Sequence, residues 1–475
     1  TQLKIRNNYY NMIKKLISII LISSIVIFSK DNDLYEQINS ILNSVSKNTK
    51  YGILIYNPQT SDTLFKKNIF EKITPASNTK LFTTAAAFAI IGSDSLIATK
   101  ILTDDLQIDS GVIKGNLYIK GYGNSLFTDH DLDSLVNIVT NLGVKKIDGN
   151  IVGDDTYFDS EYKRSDWIID ESDFGPLPPV SAIAINKNKI QFNLQASSKA
   201  GGKVSYSFYP ECSLISVRNY AKTAGRRTNI RISQKSSGDK YEFTISGSIK
   251  RNSYRAYNIE INNPPLFAAI LLKDKLTKAG VLVKGSVVTG KTSDYAKEIC
   301  ENSNTVESLC KVANKRSDNF VAECLFKSIG ASFSNNRGSG FYGTQAIYSY
   351  LKENRIYSDN ITIVDGSGLS HQNQVAVLTI VNLLERIYRN PNMFFNFYNT
   401  LSIAGKDGTL RHRFVGSNAE NNFHGKTGSL RGVIALSGFM KSKSGDDLII
   451  STLFEYNRGG ESKYSRIIEK IVELL

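Results

Sequence analysis

The sequence predicts an α+β fold whose helix-rich ends flank a strand-rich middle. Three observations predict it. Two strand-like runs lead into an Ala-rich helix near residue 80, short strands and Gly turns dominate from about residue 99 to residue 250, and long helices with a closing strand pair return after Asn263. At 475 residues the chain is long enough for two or three domains. Its 41% hydrophobic and 21% charged residues exclude wholesale disorder.

The formal net charge is +14, but the lysines are scattered and form no basic block interleaved with aromatics, which argues against a nucleic-acid partner. Cys212, Cys300, Cys310 and Cys324 show no C-x-x-C spacing, and the four histidines form no H-x-x-x-H pair, so neither a metal nor another cofactor is expected. Cys300 and Cys310 could pair in an oxidising compartment or stay as buried thiols.

In chain order, Lys14-Lys15 precede an apolar run from Leu16 to Phe28, shorter than the roughly 20 residues a membrane span needs. With Met12 as a start, residues 12–30 read as a secretory signal, or as an anchor if uncleaved. Export to the periplasm or another extracytoplasmic space is expected. A helix is expected over Tyr35–Val45, then strands at Tyr51–Tyr56 and Thr63–Phe65. The next helix opens at Pro75, whose fixed φ and missing N–H suit a first turn, runs through Leu81–Ile90 and is closed by Gly92.

A mixed module follows, with strands at Leu106–Ile108, Gly115–Gly121 and Asn150–Asp155 and a helix over Asp131–Leu142. After the Pro-rich turns at Pro176, Pro178 and Pro179, alternation at Lys203–Phe208 and Tyr241–Ile245 marks a β-rich module. Helices are then expected from Pro264 to Gly280, Val306 to Ile329 and Gln374 to Tyr388. Strands Ile434–Met440 and Leu448–Phe454 precede a last helix, Lys463–Leu475.

Chemistry concentrates at three places. Ser77 and Lys80 share one face of a helical turn, so the amine can take a proton from the hydroxyl, while the helix N-terminus favours the resulting alkoxide and burial favours a neutral lysine. Ser-x-x-Lys recurs five times elsewhere, so partners must decide. In Ser317-Asp318-Asn319 the hydroxyl can relay a proton and the amide can grip a peptide bond. Ser358-Asp359-Asn360 spells the same tripeptide but reads as a turn. In Lys426-Thr427-Gly428-Ser429, Lys426 and Thr427 suit a substrate carboxylate and Gly428 permits close backbone approach. The N–H of Ser429, with that of Ser77, could form an oxyanion hole. Lys443-Ser444-Gly445 is better read as a solvated hairpin.

Together these three motifs, in this order, are the set of penicillin-binding proteins and β-lactamases. The chain resembles the serine D-alanyl-D-alanine carboxypeptidases/endopeptidases of the low-molecular-mass class C penicillin-binding type. The resemblance extends to Asp365–Ser370, Ala404–Leu410, Gly115–Gly121 and the long interval between Lys80 and Ser317.

It implies a penicillin-binding transpeptidase-like (serine β-lactamase-like) domain with two nested inserted domains. The catalytic domain would take 31–98 and 264–475, inserted domain II 99–166 and 251–263, and β-rich domain III 167–250. Ser77 would be the acylated nucleophile, Lys80 its proton acceptor, Ser317 and Asn319 relay and substrate-binding groups, and Lys426 and Thr427 carboxylate anchors. Asp154, or adjacent Asp155, would reach the cleft to meet the amino end of a substrate side chain. Gly123-Asn124-Ser125 departs from the family's Asp-Pro after the Gly.

The expected activity is cleavage of D-Ala–D-Ala bonds in peptidoglycan stem peptides and cross-links, with β-lactam antibiotics as inhibitors. A serine β-lactamase and a non-catalytic peptidoglycan-binding protein are the alternatives. A homodimer and a loose membrane association stay open at this level, and no G-x-S-x-G elbow supports an α/β-hydrolase.

Overall fold

The structure, a computed structural model, describes residues 33–105, 110–167, 177–237 and 240–475. The expected signal and the strand Leu106–Ile108 lie outside these residues, as does Pro176. The central layer is a six-stranded antiparallel sheet in the order Ser402–Ile403, His424–Leu430, Val433–Lys441, Asp447–Glu455, Lys50–Tyr56, Thr63–Lys67. Alternate side chains feed two cores, as the period of a strand requires. Ile53, Ile55, Ile434, Leu436 and Ile450 pack under helices α1 (33–42) and α10 (Gly460–Leu474). Leu54, Ala435, Ile449 and Leu453 face the opposite core.

That second core is built by α2 (Thr79–Ile90), α5 (Val306–Lys315), α6 (Asn319–Ser334), α7 (Gly340–Glu353), α8 (Val377–Tyr388) and α9 (Pro391–Thr400). Helix α2 runs through its middle, with Leu81, Phe82, Ala85 and Ala86 fully buried, which explains its small residues. Gly92 ends it at φ +99, a left-handed conformation that glycine adopts without a Cβ penalty.

Between α2 and α5 the chain leaves this body. A five-stranded sheet in the order Val287–Thr289, Ile151–Asp154, Leu117–Gly121, Leu96–Thr103, Lys297–Thr305 packs against α3 (Asp129–Asn141) and α4 (Pro264–Lys278). The β-rich part holds two further sheets, one from Lys189–Gln195, Ser205–Tyr209 and Tyr254–Glu260, the other centred on Lys240–Lys250. Its Phe192, Leu194, Tyr241 and Phe243 join one hydrophobic cluster with Ile119, Leu135 and Phe267 of the first part.

Three expectations need correction. The return to the catalytic body at 264 comes later: α4 buries Phe267, Ile270 and Leu271 in the inserted core, and the chain re-enters with α5. The helix expected over Val306–Ile329 is two helices, broken where Ser317 takes φ +53 and Asp318 caps α6 by accepting from the Val321 N–H at 3.0 Å. The helix expected from Gln374 starts at Val377. Cys300 and Cys310 are both free and buried, as are Cys212 and Cys324.

Candidate active site

The turn that carries Ser77 is a short 3₁₀ segment, Ala76–Asn78, leading into α2, and it wedges against the strand His424–Leu430. The approach is so close that a Cβ on Gly428 would stand 2.8 Å from the Pro75 carbonyl oxygen. Ala76, beside the serine, is held at φ +47, and Ser317 at φ +53. Such left-handed non-glycine residues cost roughly 1–3 kcal/mol each and cluster where geometry matters more than stability.

Lys80 is fully buried, with its Nζ 2.9 Å from Ser77 Oγ. It donates to Asn319 Oδ1 at 2.7 Å and to the Ser367 carbonyl oxygen at 2.6 Å. Burial pushes Lys80 down to about 8, against the opposing pull of Glu323, Asp365 and Asp318. A neutral amine has two N–H groups and one lone pair. With Asn319 and Ser367 taking the two N–H groups, the lone pair is left facing the Ser77 hydroxyl.

On the other wall, Lys426 donates to Ser317 Oγ at 2.9 Å and to the Thr427 carbonyl at 2.8 Å. Burial, aided by the charge on Lys80, holds Lys426 well below the usual lysine range. A ligand carboxylate would restore its charge. Thr427 Oγ1 donates to Thr409 Oγ1 at 2.8 Å, and Ser429 lies half-buried two residues on. The structure thus brings Ser77, Lys80 and Asn319 into one hydrogen-bonded group and Ser317, Lys426 and Thr427 into a second.

Asp154 is not brought to either group. It is fully buried in the inserted sheet. Its Oδ1 accepts from the Thr156 N–H at 2.8 Å and hydroxyl at 2.7 Å, and its Oδ2 accepts from the Thr292 N–H at 2.7 Å, with Lys120 at 3.5 Å. Burial raises this carboxyl, but the Thr292 and Thr156 hydrogen bonds outweigh it and leave the group below its usual range. Asp155 is likewise engaged, accepting from Tyr162 at 2.7 Å and Ser181 at 2.8 Å.

Four contributors were not singled out from the sequence: Thr409, the Ser367 carbonyl, Glu323 and Trp167, whose Nε1 donates to Asp365 Oδ2 at 3.0 Å. The segments Asp365–Ser370 and Ala404–Leu410 were the available signal for two of them. Among the described residues, no His, Cys, Asp and Glu group could hold a metal ion, and no helix is long and apolar enough to cross a membrane.

The pattern of the D-Ala-D-Ala carboxypeptidase 3 (S13) family matches residues 34–475. A D-alanyl-D-alanine carboxypeptidase of Actinomadura sp. (strain R39) is 27% identical over 434 residues, covering 87% of this chain and 79% of that one. The D-alanyl-D-alanine carboxypeptidase DacB of Haemophilus influenzae is 27% identical over 399 residues, 82% of each chain. The crystal structure of penicillin binding protein 4 (dacB) from Haemophilus influenzae superposes with a TM-score of 0.80 at 24% identity, covering 92% of this chain and 98% of that one. A second structure of that protein, complexed with a β-lactam, gives 0.75 at the same identity and coverage. The α+β architecture with its long insertion is therefore that of a penicillin-binding protein, and the chain belongs to the D-Ala-D-Ala carboxypeptidase 3 (S13) family of peptidases.

Proposed function

We propose that this D-Ala-D-Ala carboxypeptidase works through an acyl-Ser77 intermediate, and that it also opens D-Ala cross-links as a D,D-endopeptidase. The observation that carries this reading is the Lys80 amine, 2.9 Å from Ser77 Oγ with both other hydrogen-bonding directions occupied. As a member of its family the enzyme acts on peptidoglycan, a wall polymer outside the cytoplasmic membrane.

In the proposed sequence, Lys426 and Thr427 bind the terminal carboxylate of the stem peptide, and Asn319 holds the preceding amide. Ser77 Oγ attacks the carbonyl carbon of the penultimate D-Ala as Lys80 takes its proton, and the N–H groups of Ser77 and Ser429 receive the developing oxyanion. Ser317, bonded to Lys426, relays a proton to the departing amine. The peptide C–N bond breaks, D-alanine leaves, and an ester to Ser77 remains for water to hydrolyse. A β-lactam would enter the same way, but its ring amine stays tethered to the acyl group.

The test is intact-mass analysis after incubation with benzylpenicillin, with Ser77→Ala beside the wild type and D-alanine release from a pentapeptide assayed in parallel. An adduct lost in Ser77→Ala, together with D-alanine release, is expected. Rapid antibiotic turnover without peptide cleavage would point to a β-lactamase, and neither adduct nor cleavage to a wall-binding protein.

A further inference from the structure

A buried carboxylate that the proposed acyl transfer leaves unassigned lies behind Lys80. Glu323 is one turn along α6 from Asn319 and is only 3% exposed. One of its oxygens, Oε1, accepts from both the Gly366 N–H at 3.0 Å and the Ser367 N–H at 2.7 Å. Asp365 takes two further N–H donors of the same turn and a side-chain amide beyond it. Its Oδ1 accepts from Gly368 N–H and Asn373 Nδ2, each at 2.8 Å, and its Oδ2 accepts from Ser370 N–H at 2.8 Å. Clamped in this way, the turn aims two carbonyls at α2: that of Gly366 accepts from Thr83 Oγ1 at 2.7 Å, and that of Ser367 from Lys80 Nζ at 2.6 Å.

We propose that Glu323 is a positioning residue for the acyl transfer, holding the Gly366–Ser367 turn so that the Ser367 carbonyl orients the Lys80 amine, and setting through its own charge whether that amine is protonated. The inference rests on the reading of Lys80 as the proton acceptor. If the Ser367 carbonyl were free to swing, an N–H of Lys80 would lose its acceptor and the lone pair would no longer be confined to Ser77.

The charge argument follows from what surrounds the pair. Lys80 faces the carboxylates of Glu323 and Asp365, that of Asp318 at the cap of α6, and the buried Lys426 amine from the sheet. Arg164, paired with Asp166, reaches Asp365 and Glu323 from the inserted segment. Burial, reinforced by the charge on Asp365, raises Glu323 to about 8, the same region to which burial brings Lys80. A protonated Glu323 beside a neutral Lys80 holds the same number of protons as a carboxylate beside an ammonium. Only the first arrangement can accept the Ser77 proton.

Glu323→Gln separates the two roles, because the amide Oε1 can keep both backbone hydrogen bonds while the side chain stays uncharged. The measurement is the second-order rate of Ser77 acylation by benzylpenicillin across pH 5–10, read by intact mass, for wild type, Glu323→Gln and Glu323→Leu, with thermal unfolding of each. Removing a nearby negative charge lowers the pH at which Lys80 becomes neutral. The rising limb of Glu323→Gln should therefore move down by about one pH unit, with its plateau within about twofold of wild type. Glu323→Leu, which frees the turn, should lose about 10²-fold across the whole range.

Should Glu323→Leu fail to fold, the Gln profile decides alone. Superimposed wild-type and Gln profiles would overturn the charge role, and a Gln plateau about 10²-fold below that of wild type would overturn the positioning role. A wild type that is not acylated at Ser77 would instead sink the underlying reading of Ser77 and Lys80.

Discussion

At the scale of single residues, the proposed carboxylate anchor depends on a side chain outside the three motifs. Thr427 gives its hydroxyl proton to Thr409 Oγ1 at 2.8 Å, and Thr409 is held in turn by Ser402, whose Oγ lies 3.3 Å from Thr409 Oγ1 and accepts the Thr409 backbone N–H at 3.2 Å. Thr409→Val keeps the shape and removes the acceptor that orients Thr427. A typical hydrogen bond contributes about 1 kcal/mol, so kcat/KM for D-alanine release should fall about fivefold, mostly through KM. The thermal midpoint should move little, and the pH profile should keep its shape because no titrating group is touched. An unchanged KM would show that Thr427 needs no such orientation. Residue types that the motifs name were legible in advance as neighbours: Lys80 bonds Ser77 and Asn319, and Lys426 bonds Ser317 and the Thr427 carbonyl. The Ser367 carbonyl was not, since any residue type supplies one. Nor was Glu323, a lone carboxylate on an otherwise apolar run from Phe320 to Phe326. Asp154 was read toward the cleft, but the Thr156 and Thr292 donors close to it in the fold claim it first.

At the scale of elements, the Ser77 turn is shaped from outside by the Asp365–Ser370 turn. Gly368 sits at φ +83, and a Cβ there would stand 1.9 Å from the Ala76 carbonyl oxygen and 2.8 Å from Thr79 Oγ1. Gly368→Ala therefore combines backbone strain with a collision against the residue before Ser77. Roughly 1–2 kcal/mol from the left-handed conformation, plus about 1–3 kcal/mol from overpacking, should lower the thermal midpoint by several degrees. Acylation by benzylpenicillin should fall at least about tenfold, because the serine moves relative to Lys80. An acylation rate at the wild-type level would show that the two turns adjust independently. Most helices were legible from their period and caps, but the break between α5 and α6 was not. Apolar spacing runs on from Val306 to Ile329, and nothing in Arg316-Ser317-Asp318 prescribes φ +53 at Ser317. That strain is set by contacts distant in sequence, among them Lys426 on Ser317 and the Lys187–Asp318 ion pair.

At the scale of the whole molecule, the apolar cores divide differently from the chain. The two cores on either side of the central sheet draw on no described residue between 189 and 260. The small cluster beneath the active site takes Phe158, Trp167, Leu177, Val180, Ala182 and Ala184 from the insertion and stops there. The β-rich part instead shares its core with α3, α4 and the five-stranded sheet, so the division into domains II and III expected from texture cuts through one continuous cluster. Texture reports strand against helix and is silent on which modules pack together. Excision of 189–260 is geometrically simple, because the Ile261 N–H donates to the Asn188 carbonyl at 2.9 Å and a short Gly linker can span the gap. The excised chain loses Phe192, Leu194, Tyr241 and Phe243, uncovering their buried partners along α4. It should therefore bind a hydrophobic dye and unfold at a lower temperature than the full chain, since an uncovered core of this kind costs several kcal/mol. Acylation of Ser77 by benzylpenicillin should survive below that temperature, because every contact made by Lys80, Asn319, Ser317 and Lys426 lies outside the excised segment. Loss of acylation in a chain that still unfolds cooperatively would show that the β-rich part supports the active site through the insertion, by way of Trp167 on Asp365 and Lys187 on Asp318.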